Sequence, residues 1–178
     1  MLVGCTNTTN NGQQTSSKLT EYQEQLLQEG WAFETPSNAE LGEEYGVKPV
    51  YGLQDNYFDI TMGNGYGVAV KIIDEATNRC IRYVLVGENS TETATQIPQG
   101  RYYLKLAYGK DWMEHTTDSI TLGKFTKNAF YERSSQVYDF GKKNSLEEVN
   151  FDLRINVKDA TGMNNFETIP ISEEEFLK

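Results

Sequence analysis

One histidine, two cysteines and four prolines are all that this 178-residue chain has of those types, and no run of about 20 apolar residues occurs in it. Each scarcity excludes something. A spanning helix needs that apolar run, so none is expected. Two cysteines, Cys5 and Cys80, cannot make a disulfide framework. With His115 as the sole histidine, neither His-x-x-His nor His-Glu-x-x-His exists, and Cys-x-x-Cys is absent too. No metal site and no cofactor are therefore expected. Basic residues are also short: 16 Lys and Arg stand against 26 Asp and Glu, a formal charge of −10. That balance opposes binding to nucleic acid, whose phosphates attract basic patches, and opposes an electrostatic grip on anionic lipid.

What is present begins at the N-terminus. Leu2-Val3-Gly4-Cys5 resembles the lipobox of bacterial lipoproteins. In that family the Cys thiol takes a diacylglycerol and becomes the mature N-terminus, which implies lipidation at Cys5. A full signal has a basic start and an apolar run upstream of such a box; four residues precede Cys5 in this chain. Thr6 to Ser17 contains no charged and no apolar residue, and reads as a polar tether that buries nothing. A tether of this length reaches on the order of 20 Å. The resemblance implies a cell-envelope protein held to a membrane by lipid. Thr6 after the Cys, where an Asp favours inner-membrane retention in enterobacteria, points to the outer membrane.

Residues 18–56 read as a helix and an irregular extension. Leu19, Tyr22, Leu26 and Leu27 recur at helical spacing, with Ser17 as a cap and Gly30 as a stop. Pro36, Gly42, Gly46, Pro49 and Gly52 then break any regular pattern. From residue 57 the period changes to two. Val149, Phe151, Leu153, Ile155 and Val157 alternate with polar residues, as in a strand packed on one side. Arg101 to Gly109, Tyr66 to Ile73, Phe58-Ile60-Met62 and Ile81-Tyr83-Leu85 are similar. Ile120 to Phe125, Ala129 to Glu132 and Gln136 to Phe140 are weaker runs. This predicts a mainly β domain over 57–178, an antiparallel sandwich of about seven to eight strands. Ser172-Glu173-Glu174-Glu175 predicts a closing helical turn.

Val68 to Gly109 resembles the prealbumin-like sandwiches, including carboxypeptidase-regulatory-like and collagen-adhesin B-type domains. The carrying residues are Ile73-Asp74-Glu75-Ala76-Thr77, the strand Cys80 to Val86, and Ile97-Pro98-Gln99-Gly100-Arg101-Tyr102-Tyr103-Leu104. Pro98 and Gly100 make a tight turn after which Tyr102 and Leu104 point into the core. The resemblance implies a structural, adhesive or ligand-binding module. The whole chain is similar to lipoproteins of Gram-negative gut bacteria that carry one β domain.

Candidate chemistry is sparse. Gly63-Asn64-Gly65-Tyr66-Gly67 precedes a β pattern and not a helix, so it reads as a hairpin turn and not as a phosphate cradle. Cys80 reads as a small half-buried hydrophobe; a catalytic thiol would need His115 beside it. Asp111, Trp112, Glu114, His115 and Asp118 are either a solvated loop or a carboxylate site near an aromatic, as in glycoside hydrolysis. Tyr103, Trp112 and Tyr131 fall outside the expected core and mark a binding face for a protein or glycan. Together these readings favour a non-catalytic envelope lipoprotein acting as a binding or scaffold module. The alternatives are an adhesin or pilus-type subunit in which residues 31–56 add a strand to a neighbour, and a carboxylate-dependent hydrolase.

Overall fold

Residues 18–35, 38–144, 146–157 and 164–178 are described by a computed structural model. Helix α1 (Glu21–Gln28) opens it, followed by the two-residue strands β1 (Ala32–Phe33) and β2 (Ala39–Glu40) and a 3-10 turn, Glu43–Tyr45. Next come β3 (Tyr57–Met62), β4 (Gly67–Asp74), β5 (Cys80–Val86), β6 (Ser90–Ala94), β7 (Arg101–Thr116) and β8 (Thr121–Ser134). The chain closes with β9 (Tyr138–Asp139), β10 (Asn150–Ile155), β11 (Thr168–Pro170) and helix α2 (Glu173–Leu177). Seven strands have five residues or more, in line with the expected seven to eight.

The strands form two sheets. The large one runs β11-β8-β7-β4-β5-β2, with β1 and β9 also pairing to β7; the small one runs β10-β3-β6. The result is a mainly antiparallel sandwich and not a closed barrel. One pairing departs from the expectation: β10 lies parallel to β3, from Asn150 beside Tyr57 to Ile155 beside Met62. Parallel neighbours need a long crossover, and here the large sheet itself lies between them in sequence. The turn at Gly63 to Gly67 is not a hairpin within one sheet. It carries the chain from β3 in the small sheet to β4 in the large one.

Phe58, Ile60, Met62, Leu153 and Ile155 of the small sheet meet Val68, Val70, Ile72, Leu104 and Leu106 of the large sheet in the main core. The back of the large sheet is covered as well. Leu41 and Val47 of the extension and Phe176 of α2 pack on Ala69, Tyr83, Leu85 and Ala107. Strands buried on both faces lose the polar–apolar alternation, and β5 is buried from Ile81 to Val86. Arg82 therefore lies inside, at 1 % exposure. Its guanidinium meets Glu40 through Nε to Oε1 and through Nη2 to Oε2 at 2.6 Å, and Nη1 donates to the Thr95 carbonyl at 2.6 Å. The ring of Tyr51 covers it at 4.4 Å.

The cap of α1 is Thr20, where Ser17, which lies outside the described residues, was expected. Thr20 Oγ1 accepts from the Gln23 N–H and Gln23 Oε1 accepts from the Thr20 N–H, a reciprocal capping box. Gly30 does end the helix. It sits at φ +90°, and Trp31 N–H and Gly30 N–H return to the Leu26 and Leu27 carbonyls, the Schellman closure that glycine permits. Ser172 caps α2 by accepting from the Glu175 N–H. Residues 31–56, expected as an irregular extension and, in the alternative reading, as a strand donor to a neighbour, contribute two short strands that pair within their own chain: β1 with β7 and β2 with β5.

Candidate functional site

The polar run after Gly109 is strand and not loop. β7 continues to Thr116 and pairs with β8 through a register shift between Tyr108 and Lys110. Beside that bulge Asp111 takes φ +55°. The shift turns Trp112 inward, and this corrects the expectation of a binding face. Trp112 is 1 % exposed, lies edge-to-face on Phe125 at 4.8 Å, and closes over Gly123. A Cβ on Gly123 would come within 2.2 Å of the indole, so only glycine fits beneath it.

The carboxylates around Trp112 are spoken for separately. Glu114 Oε1 accepts from Trp112 Nε1 at 2.8 Å and from the Tyr45 hydroxyl at 2.7 Å. Burial, then the bond to Glu114, pushes the Tyr45 phenol well above its usual range. Asp111 Oδ2 accepts from Gln23 Nε2 at 3.0 Å. His115 packs against the Trp31 ring at 5.5 Å, and Asp118 is exposed in the turn that follows. These groups brace the N-terminal extension against the hairpin and do not converge on a pocket.

Cys80 and His115 are also apart. Cys80 pairs with Ile73 and Ile73 with Tyr103. His115 lies twelve positions further along β7, about 40 Å at strand rise. Burial pushes the Cys80 thiol up to about 11, so it stays protonated and unreactive at neutral pH. Among the described residues no group of three or more His, Cys, Asp or Glu side chains is placed to hold a metal ion.

Tyr103 and Tyr131 keep partial exposure. Tyr103 donates to Asn78 Oδ1 at 3.3 Å, while Tyr131 packs on Phe176 at 5.5 Å. Both flank Arg133 on the back of the large sheet, away from the sandwich interior, which holds Tyr108 on the opposite face.

A cavity of about 810 Å³ was not foreseen. It opens where β8, β10 and β11 approach one another, and its walls include Tyr108, Phe130, Glu132, Asn156, Asn164 and Phe166. Phe130 stacks on Tyr108 at 4.5 Å and 11°. The Tyr108 hydroxyl is buried, and although Glu132 and Asn164 approach it, neither completes a hydrogen bond of good geometry. Burial first, then Glu132, pushes that phenol far above its usual range, so it remains a donor. An aromatic wall with a few amide, carboxyl and hydroxyl groups is the ordinary make-up of a small-molecule site. Alternation along β7 marks Tyr108 as core, which it partly is, and nothing in the spacing ties Asn156 and Asn164 to it.

No protein-family model, no curated protein and no solved structure matches the chain.

Proposed function

We propose that this protein is a non-catalytic glycan-binding module of the cell envelope, anchored by lipid on Cys5. The observation that carries the ligand reading is the unpartnered, buried Tyr108 hydroxyl at the wall of the 810 Å³ cavity. A buried polar group without a partner calls for one, and a sugar hydroxyl answers it while the sugar's apolar face lies against aromatic rings. Glu132 and Asn164 supply further hydrogen bonds of the type hydroxyls use. The charge of −10 supports an uncharged partner over a polyanion.

The test of the ligand is an oligosaccharide array probed with the full chain. Saturable capture is expected, weakened about tenfold by Glu132→Ala and by Asn164→Ala, each of which removes one hydrogen-bonding partner. Capture of no oligosaccharide, or capture unchanged in both variants, refutes the glycan.

The anchor rests on Leu2 to Cys5, which lie outside the described residues, and on the polar stretch that follows. No helix among the described residues is long and apolar enough to cross a membrane. Expressed from its full upstream reading frame in the native host, the protein is expected in the membrane fraction, with an intact mass of a chain starting at Cys5 plus acyl groups. Cys5→Ser should move it to the soluble fraction. An unmodified chain that is soluble with Cys5 intact removes the anchor.

A further inference from the structure

The back of the large sheet bears a row of three cations. Lys71 of β4 lies directly beside Lys105 of β7, and Lys105 directly beside Arg133 of β8. Like charges opposite one another on neighbouring strands destabilise a sheet, and in a chain with ten more acidic than basic residues such a row needs a reason.

Two of the three are answered from within the chain. Lys71 Nζ donates to the Phe176 carbonyl at 3.0 Å and lies over the Phe176 ring at 4.7 Å. Lys105 Nζ donates to the Glu175 carbonyl at 2.5 Å. Both carbonyls belong to the last turn of α2, where helices leave acceptors and negative partial charge.

Arg133 is not answered. Among the described residues it makes no hydrogen bond and no ion pair, and its Nε is buried without a partner. Its guanidinium lies 5.8 Å from the centre of the Tyr103 ring. Together they wall a cavity of about 230 Å³, with Asn78 and Ser135 beside them. The Tyr103 hydroxyl takes the Asn78 side-chain oxygen, which leaves the amide nitrogen as a spare donor. The single carboxylate in that wall, Glu75, is held by Arg101 through contacts of 2.7 and 3.5 Å. The cavity thus has a cation and an amide donor facing it and no free carboxylate in its wall, while the Glu175 carboxylate acts on Tyr103 and Lys105 from outside that wall.

We infer that Arg133, Asn78 and Tyr103 form a binding site for a small monovalent carboxylate. The planar guanidinium matches a carboxylate in a way that a lysine does not. Asn78 donates a further hydrogen bond, and the Tyr103 ring offers a face to the body of the ligand. One uncompensated cation on a strongly acidic protein suits a single negative charge, whereas a dianion would meet Glu75 and the field of the whole chain. The cavity admits only a small group. This site faces the opposite side of β8 from the Tyr108 cavity, and the inference does not rest on the glycan reading.

Acetate and D-glucuronate titrated into the full chain, followed by calorimetry or protein NMR, provide the test, with inorganic phosphate as the control anion. Saturable binding of both carboxylates is expected, weakened at least tenfold by Arg133→Gln and weakened further by added NaCl. Asn78→Ala, in an exposed turn, keeps the question open to refutation should Arg133→Gln not fold. It is expected to weaken binding about threefold. Three results overturn the site: no saturable carboxylate binding, binding unchanged in Asn78→Ala and in any folded Arg133→Gln protein, or phosphate bound more tightly than either carboxylate with the same dependence on Arg133.

Discussion

Trp112→Ala is expected to lower the unfolding free energy by about 3–5 kcal/mol, the range for deleting a buried aromatic side chain. The indole has almost no exposed surface and rests on Phe125 and on the bare backbone of Gly123. Gly123 beneath it has no side chain to move into the space left by alanine. The variant also removes the Nε1 donor from Glu114, leaving that carboxylate with Tyr45 alone. In a protein of this size the melting temperature should fall on the order of 10 °C. Trp112→Phe keeps most of the ring and loses the donor, so it should recover more than half of the deficit. Tyr103→Ala, by contrast, removes a half-exposed ring from the surface and should cost about 1 kcal/mol or less. Equal melting temperatures for Trp112→Ala and Tyr103→Ala would contradict the inward placement of the indole.

Removing one partner of the Arg82–Glu40 pair should be nearly as damaging. Arg82 is 1 % exposed and Glu40 26 %. Glu40→Leu leaves a buried guanidinium with the Thr95 carbonyl and the Tyr51 ring as its remaining partners. Breaking a buried pair costs about 3–5 kcal/mol, and the partial exposure of Glu40 places this one at the low end. The double variant Glu40→Leu with Arg82→Met is expected to regain most of that loss, because replacing both ions by apolar groups is often neutral or stabilising. Urea unfolding of the two single variants and the double variant forms a complete cycle. If the double variant is no more stable than the worse single one, the pair is not the unit that matters.

The same two sites mark the boundary of what was legible. Val149 to Val157 announced a one-sided strand, and β10 is one, with Leu153 and Ile155 buried and Asp152 and Arg154 outside. Tyr102 and Leu104 entered the core as the Pro98–Gly100 turn implied. Ile81, Tyr83 and Leu85 also looked like one core face, yet Ile81 joins Val84 and Val86 in the sandwich interior while Tyr83 and Leu85 face the back. Alternation fails when both faces are covered, and the cover comes from Leu41 and Phe176, distant in sequence. The run Asp111 to Asp118 read as a loop for a related reason. Asp111 and Glu114 bond to Gln23 and Tyr45, and His115 packs on the Trp31 ring, partners no local pattern reveals. Both cavities are likewise made by strand pairings, and Arg133 gains meaning only beside Lys105 and Lys71.

The clasp between the N-terminal extension and the long hairpin has a mechanical consequence. Tension arriving through residue 18 meets α1 first. That helix grips the hairpin through Gln23 on Asp111 and Thr126 and through Lys124 on Tyr22. Behind it, β1 is zipped to β7 by only two residue pairs, Ala32 with Glu114 and Phe33 with Met113. A pull would peel this short zipper open one contact at a time while the eight paired positions of β4 and β7 stayed loaded only afterwards. Load arriving there is thus taken first by the contacts of α1 and the two-pair zipper, and reaches the long β4–β7 ladder only after they have opened.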